Sequence, residues 1–210
     1  MTLTSQAVLA ELDGALAHAP ATWRSTALRQ IVDLFVAGAP DYSGEQVALF
    51  DEVIGRLMQD LDRAPLVELS HRLAPIENAP LQVIGRLARH KDMAVCGPIL
   101  ERATALPDAD VVEIAGKDGV DQELLTIIAR RPHLSMAVTD VLLKRGSRAI
   151  QRSIIDNPKA PLSEVGFAWA ITCINGDKDF AAAIAARDDV VPELRVWLAR
   201  VLSEAPGSPG

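Results

Sequence analysis

Aromatic residues, cysteine and long apolar runs are all scarce in this sequence. Three Trp, one Tyr and four Phe make up 4% of its 210 residues, and it has two cysteines, Cys96 and Cys173. Because these cysteines are far apart and form no Cys-x-x-Cys motif, we interpret them as small buried side chains in a reducing compartment. No apolar run approaches the ~20 residues that span a bilayer, and no signal-peptide pattern opens the sequence. We therefore expect a cytoplasmic protein with no membrane partner.

A surplus of positive charge is missing too. The formal net charge is −7, and duplex binding is driven by Lys and Arg side chains that neutralise phosphates. This balance argues against nucleic acid as the general partner. The apolar fraction of 49%, against 23% charged residues, lies toward the upper edge of ordinary soluble composition, which indicates either a generous core or an apolar surface kept for a partner.

Motifs that mark metal, phosphate or nucleophile sites are also missing. No histidine has a second ligand at metal-binding spacing; the four are His18, His71, His90 and His133. There is no glycine-rich phosphate loop, and Cys96 near His90 lacks the signature of a nucleophile pair. We predict no metal, no cofactor and no enzymatic activity. The remaining alternative is an enzyme whose titratable groups are far apart in the sequence and come together only in the folded structure.

A repeated phrase is the main feature that the sequence does contain. It reads ARHKDMAVCGPILER over residues 88–102 and ARRPHLSMAVTDVLLKR over residues 129–145, at an offset of 41 to 43 residues. A weaker third version, IIDNPKAPLSEV, begins at Ile154. Repeats of about forty residues built from paired helices are typical of stacked α-solenoids. A compact α-domain with some internal duplication is the alternative.

Apolar residues recur at helical spacing, and no stretch alternates convincingly as a strand would, which predicts an all-α fold. The predicted helices cover residues 5–18, 22–37, 43–63, 65–73, 81–90, 93–104, 108–116, 122–131, 135–145, 147–156, 163–174, 178–187 and 192–204. Pro98 would kink its helix or mark a start near Gly97. Trp23, Trp169 and Trp197 lie on apolar helix faces and are predicted to be core.

The predicted architecture is a HEAT-like helical repeat, or α-α superhelix, preceded by a helical bundle. Residues 1–79 would form the N-terminal bundle packing on the first repeat, and residues 80–203 would form the repeats. Residues 204–210 are small, polar and rich in Pro and Gly, which predicts a disordered tail or linker. The Asp pairs at positions 108/110 and 188/189 precede helical runs and are interpreted as N-caps.

Four phrases, in order along the chain, resemble a known family. They are DLFVAGAPDYSGEQVALFDEVIGRL, LARHKDMAV, DADVVEIA and IARRPHLSMAVTDVLLKRG. Together, over residues 32–164, they are similar to bacterial domain-of-unknown-function family 2336, a family of helical-repeat proteins. The resemblance implies a HEAT-like fold in a bacterial protein. It implies no reaction, ligand or partner, so no site residue is carried over from it.

One stretch of the chain runs against its acidic total. Residues 130–152 hold six cations against the single acid Asp140. Residues 130–152 are called the basic segment below, and its cations are Arg130, Arg131, Lys144, Arg145, Arg148 and Arg152. The structural interpretation is that cations at helix ends stabilise helix dipoles. The functional interpretation is a patch for an acidic protein partner, a nucleotide phosphate or a nucleic-acid backbone.

We therefore predict a non-enzymatic protein–protein interaction module, a scaffold or adaptor that could also be regulatory, with an unidentified protein partner. The basic segment supplies the predicted partner-binding residues. Homo-oligomerisation through residues 43–63 is a further expectation, because the apolar face of this helix is wider than a coiled-coil seam requires. The alternative function is nucleic-acid or nucleotide-phosphate binding through the basic segment.

Overall fold

A computed structural model describes residue 14 and residues 19–203. These residues form twelve α-helices and one short 3₁₀-helix, with no strand among them, so the predicted all-α class is confirmed. The helices are α1 (Ala21–Gly38), α2 (Gly44–Leu57), α3 (Arg63–Leu73), α4 (Leu81–Ala88), α5 (Met93–Arg102), α6 (Asp108–Gly116), α7 (Gln122–Ala129), α8 (Met136–Arg145), α9 (Arg148–Ile155), α10 (Glu164–Thr172), α11 (Lys178–Ala185) and α12 (Pro192–Ser203). The 3₁₀-helix, Ala39–Asp41, follows α1 directly. The predicted helix at residues 5–18 and the predicted tail lie outside the described residues, and no described helix combines the length and apolarity needed to cross a membrane.

Side-chain caps place half of the described helix starts. Ser43 has a full capping box: its hydroxyl accepts from the Gln46 amide, and its own amide donates to the Gln46 side chain over 2.8 Å. Single capping bonds begin five further helices, from Asp92, Asp121, Ser135, Ser163 and Asp177. Each cap satisfies an amide that has no partner within its helix, which is why helix starts agree closely with the sequence prediction.

One predicted helix end differs from the structure by several residues. The helix that begins after Ser43 ends at Leu57 rather than near residue 63. The chain turns at Asp60, whose φ of 55° is left-handed, and a new helix starts after Asp62; Asp tolerates that conformation better than most residues. Helix α5 begins at Met93, as its predicted range has it, and runs through Pro98, so the alternative start near Gly97 is wrong. Because Pro98 is the sixth residue of the helix, it removes one backbone hydrogen bond and leaves the others.

The chain divides into two compact units, Met1–Asp110 and Val111–Gly210. In the first unit, each of α2, α4 and α5 packs on a helix adjacent in sequence, and contacts also join α1 to α3, α3 to α5, and α2 to α4. The first unit therefore has two sets of helices, one odd-numbered and one even-numbered. The largest fully buried side chains between them include Phe35, Ile54, Leu69, Ile84 and Leu100.

The second unit repeats this packing scheme within itself. Helix α9 contacts both α7 and α11, and α8 contacts α10, so alternate helices again lie against one another. Sequence neighbours also pack, as α7 with α8, α8 with α9, and α11 with α12. Phe180, Ile128 and Leu142 are among the fully buried side chains of this core.

The repeated phrase marks equivalent turns, but it does not give the period of the helix pairs. The first copy begins at the end of α4 and the second at the end of α7, so the offset of 41 to 43 residues spans three helices, α5, α6 and α7. Within the second unit α7, α9 and α11 pack on one another in that order and begin at Gln122, Arg148 and Lys178, which is an interval of 26 to 30 residues. The spacing of alternate helices is therefore shorter than the forty residues expected from the sequence.

The prediction that the three tryptophans are core residues was wrong. Trp23, Trp169 and Trp197 are 47%, 36% and 43% exposed. In each helix other positions point into the core instead, such as Ala170 in α10 and Leu198 in α12. A position one residue away is turned by about 100° around a helix, so an apolar residue beside a core position can face solvent.

Candidate interaction surface

Arg145 ends α8 and binds the preceding helix connection. Its guanidinium donates to the Gly116 carbonyl and to the Asp118 carboxylate, each over 2.9 Å. Gly116 is the last residue of α6, so Arg145 supplies a donor to a carbonyl at a helix C-terminus, where the helix itself leaves acceptors unsatisfied. The side chain is thus a link between two connections of the fold.

Arg148 opens α9 and is held in three ways. It donates to the Asp177 carboxylate over 2.7 Å and to the carbonyl of Cys173, and its guanidinium lies 3.8 Å from the centre of the Phe180 ring. Asp177 also caps α11 by accepting from the Phe180 amide. The hydrogen bond from Arg148, together with that amide, lowers the pKa of Asp177 from its ordinary value, so the pair stays charged at neutral pH.

The other four cations of the basic segment have different surroundings. Arg152 pairs with Asp156 one turn along α9 at 2.7 Å, and this hydrogen bond raises the Arg152 pKa. The Lys144 ammonium lies 5.4 Å from the centre of the Trp169 ring, within cation–π range. Arg130 is exposed at the end of α7, whereas the adjacent Arg131 is buried.

Tertiary pairing therefore neutralises much of the charge that the sequence concentrates in residues 130–152. Arg145 and Arg148 take their carboxylates from Asp118 and Asp177, which lie 27 and 29 residues away, outside the segment. A count of charges along the segment does not include these acids. The separation, close to one helix pair, is the signal that could have identified them.

Arg187, just after α11, has a role that the sequence did not indicate. Only 4% of its side chain is exposed. It donates to backbone carbonyls at the end of α9 and in the loop that follows, including those of Ile155, Asn157 and Ala160, and it makes a two-bond pair with Asp189 at 2.7 and 2.8 Å. This cluster borders a groove of about 510 Å³.

Asp189 is a counter-ion rather than the helix cap that its position suggested. Burial alone would raise its pKa, but the hydrogen bonds and charge of Arg187 outweigh burial and hold the pKa below the ordinary Asp value. Of the other Asp residues taken as caps, Asp110 pairs with Arg89 over 2.8 Å. A carboxylate near a helix start can thus serve a tertiary contact, which local sequence does not distinguish from a cap.

Helix α10 exposes an apolar face. Its sequence, EVGFAWAIT, has no charged residue after Glu164, and the positions turned to solvent include Val165, Ala168, Trp169 and Thr172. Val165 is 60% exposed. Lys144 of α8, stacked over Trp169, places a positive charge at the border of this face. A helix that is apolar all round is normally buried, so such a face in contact with water is a candidate interaction surface.

Groups with metal-binding or nucleophilic chemistry are dispersed. Across residue 14 and residues 19–203, no three His, Cys, Asp or Glu side chains group as a metal site. Cys96 is buried as predicted, and burial raises the pKa of its thiol, whereas Cys173 is only half-buried. His90 accepts a hydrogen bond from the Asp92 amide at the turn before α5, and His71 lies 3.0 Å from the Arg102 guanidinium.

These features define an all-α protein of short helices that pack on their alternate neighbours. The chain belongs to the DUF2336 family, described as an uncharacterised protein conserved in bacteria, whose model matches residues 95–206. The family resemblance noted in the sequence is thereby confirmed, although the matched region begins well after residue 32 and continues past residue 164. No curated protein and no solved structure matches the chain.

Proposed function

We propose that this DUF2336 protein is a non-enzymatic interaction module, a HEAT-like stack of helices that binds a partner protein through the outer face of α10. The observation that carries the proposal is the pair of exposed apolar side chains on that face, Val165 and Trp169, bordered by Lys144. Tryptophan is enriched among the residues that dominate binding energy in protein interfaces.

Two contacts of the same kind support the stacked arrangement. In the first unit Arg63, the first residue of α3, pairs with Asp92, the cap of α5, and in the second unit Arg148 pairs in the same way with Asp177. In both cases the Arg opens one helix and the Asp opens the helix two further on. The paired starts favour a parallel arrangement of α3 with α5 and of α9 with α11, as alternate helices of stacked HEAT-like pairs have.

Apolar burial at this face would supply part of the binding free energy of a partner. Complete burial of a large apolar side chain contributes about 1.5–3 kcal/mol, so covering the exposed parts of Val165 and Trp169 would contribute roughly 2–3 kcal/mol. Association itself costs several kcal/mol, so a partner must also contact the neighbouring surface. Lys144 favours a partner with a carboxylate beside its apolar residues.

Nucleic-acid binding through the basic segment has less support. A phosphate that approached Arg145 or Arg148 would compete with the carboxylates of Asp118 and Asp177. When the protein is added to a short labelled duplex at low ionic strength, we expect no rise in the fluorescence anisotropy of the duplex. Binding that weakened steeply with added salt would favour the phosphate-binding function instead.

The partner is sought with the tagged full chain as bait in bacterial lysate, in parallel with Val165→Asp and Trp169→Ala. Trp23→Ala is the matched control, because Trp23 is also an exposed tryptophan but belongs to α1. A protein retained by wild type and by the control, and lost from both α10 variants, would then be purified. We expect Trp169→Ala to weaken its affinity at least tenfold in titration calorimetry.

The two variants also separate loss of the surface from loss of the fold. Val165 is 60% exposed, so the unfolding curve of Val165→Asp should overlay that of wild type. Trp169 is 36% exposed and contacts Lys144, so Trp169→Ala should lower the unfolding midpoint but leave the transition cooperative. If every captured protein binds the α10 variants and wild type with equal affinity, this face is not the binding surface.

A further inference from the structure

The outer face of α12 carries a second exposed stripe with a defined order of charges. Glu193, Val196, Trp197 and Arg200 are all exposed, Val196 at 57%. Their spacing of three, four and seven residues puts them on one side of the helix. The buried residue Leu198 lies on the opposite side and packs into the second unit.

The charges of this stripe differ from four arginines of the second unit in having no ion-pair partner. Arg145, Arg148, Arg152 and Arg187 each pair with an Asp. Neither Glu193 nor Arg200 forms an ion pair with any residue in the part of the chain that the structure describes. At seven residues apart, about 10 Å along the axis, they are too distant to pair with each other.

We propose that this stripe is a homodimer interface, in which α12 packs antiparallel on α12 of a second copy of this chain. A two-fold axis between Val196 and Trp197 brings Glu193 opposite Arg200 of the other copy, and Arg200 opposite the other Glu193. In this dimer Glu193 and Arg200 of each copy both form ion pairs, and the exposed side chains of Val196 and Trp197 are covered in both copies. Closed two-fold contacts of this kind are the commonest form of soluble oligomer.

The order of the two charges along the stripe favours an antiparallel orientation and a second copy of this chain as the binding partner. A parallel pair of α12 helices would place Glu193 against Glu193 and Arg200 against Arg200, and like charges across an interface are unfavourable. Glu193 and Arg200 lie at equal distances on either side of the apolar centre of the stripe. When a second copy of the stripe packs on it in the opposite direction, each acid therefore meets a base. A second copy therefore fits this face without any further assumption about partner chemistry.

The size of the stripe sets the expected affinity. Two turns of one 12-residue helix cover less than the ~800 Å² per partner of a standard interface. The dimer is therefore weak, with a Kd on the order of 10–100 µM. This surface differs from the α10 face of the proposed function, and the two sets of variants share no residue.

Sedimentation equilibrium of the full chain, from about 1 to 500 µM at low salt, tests the proposal. Wild type should pass from monomer to dimer across this range. Glu193→Arg and Arg200→Glu should each weaken the dimer at least tenfold, as should Trp197→Ala. Trp23→Ala should leave the dissociation constant unchanged, because Trp23 is an exposed tryptophan of the first unit.

The double variant Glu193→Arg/Arg200→Glu separates the interface from helix stability. Both of its charge changes are unfavourable for the helix dipole. In the antiparallel dimer, however, position 193 of one copy again faces a side chain of opposite charge at position 200 of the other. We expect its dimer to recover to within about threefold of wild type, and an equimolar mixture of the two single variants to form a heterodimer. A monomer at every concentration overturns the proposal, and so does a dimer that the charge swaps do not affect, since either result assigns this face to another occupant or to none.

Discussion

The strongest single prediction concerns Arg187, whose side chain is almost fully buried in the second unit. We consider Arg187→Ala, which removes the guanidinium and all of its hydrogen bonds. The substitution leaves carbonyls at the end of α9 and in the following loop without their donor, and it leaves the Asp189 carboxylate without its counter-ion. The loss falls on the backbone connection between α9 and α10.

The expected magnitude follows from the burial of the Arg187 side chain, of which only 4% is exposed, whereas Asp189 is 41% exposed and is hydrated when its partner is removed. A buried acceptor that loses its donor costs about 1–3 kcal/mol. Several carbonyls lose their donor, but the neighbouring groove can admit water to them, so we expect a total of about 3 kcal/mol. A domain of this size is stable by roughly 5–15 kcal/mol, so the effect is readily measured.

Urea unfolding followed by circular dichroism measures the change in the free energy of unfolding, and hydrogen exchange over residues 154–163 locates it. Arg130→Ala is the control, since Arg130 is an exposed arginine at the end of another helix of the unit. The control should change the free energy of unfolding by less than about 0.5 kcal/mol. Arg187→Lys should recover only part of the loss, because an ammonium cannot reproduce the planar fork.

The role given to Arg187 is refuted if Arg187→Ala lowers the free energy of unfolding no more than Arg130→Ala does. It is also refuted if that free energy falls but hydrogen exchange over residues 154–163 does not increase. In the first case the hydrogen bonds of the buried guanidinium would contribute nothing beyond its own desolvation, and in the second the destabilised element would lie elsewhere.

Three further predictions follow from the contacts of the fold. Ser43→Ala should lower the free energy of unfolding by about 1 kcal/mol in urea titrations, because it removes the cap of α2. A neutral result would mean that tertiary packing alone holds this helix start. Asp189 has a depressed pKa, so its contribution is present above pH about 4 and is lost as pH falls through the folded pKa. Asp189→Asn should therefore show a shallower loss of stability between pH 5 and 3, and an unchanged slope would contradict the assignment. Arg148→Ala and Asp177→Ala should be non-additive in a double-mutant cycle, whereas additive effects would show that their ion pair is not formed in solution.

Much of the helical pattern could be predicted from the sequence, because the interactions that start a helix are local. Ser43 and Gln46 are three residues apart, and the bond between them is visible as a sequence motif. The starts after Ser135 and Asp121 follow in the same way. The end of α2 was missed because it depends on the left-handed turn at Asp60, which no strong local signal such as Gly marks.

The candidate surface was predicted less well, for a reason that lies in the range of the interactions. The basic segment was identified by counting charges over adjacent residues. Its Arg side chains instead pair with carboxylates on connections that only folding brings near, as Arg145 does with Asp118. The apolar face of α10 was overlooked since its sequence, apolar throughout, is the same as that of a helix buried on all sides.

By itself, the sequence determined that this protein is all-helical, where most helices begin, and to which family it belongs. These properties depend on caps, helical periodicity and short phrases, all of which act within a few residues. Only the tertiary structure decided which charges are neutralised and which apolar side chains stay in water. Trp169 and the buried Arg187 illustrate both outcomes: their environments are set by which helices become neighbours, and that depends on packing between residues far apart in the chain.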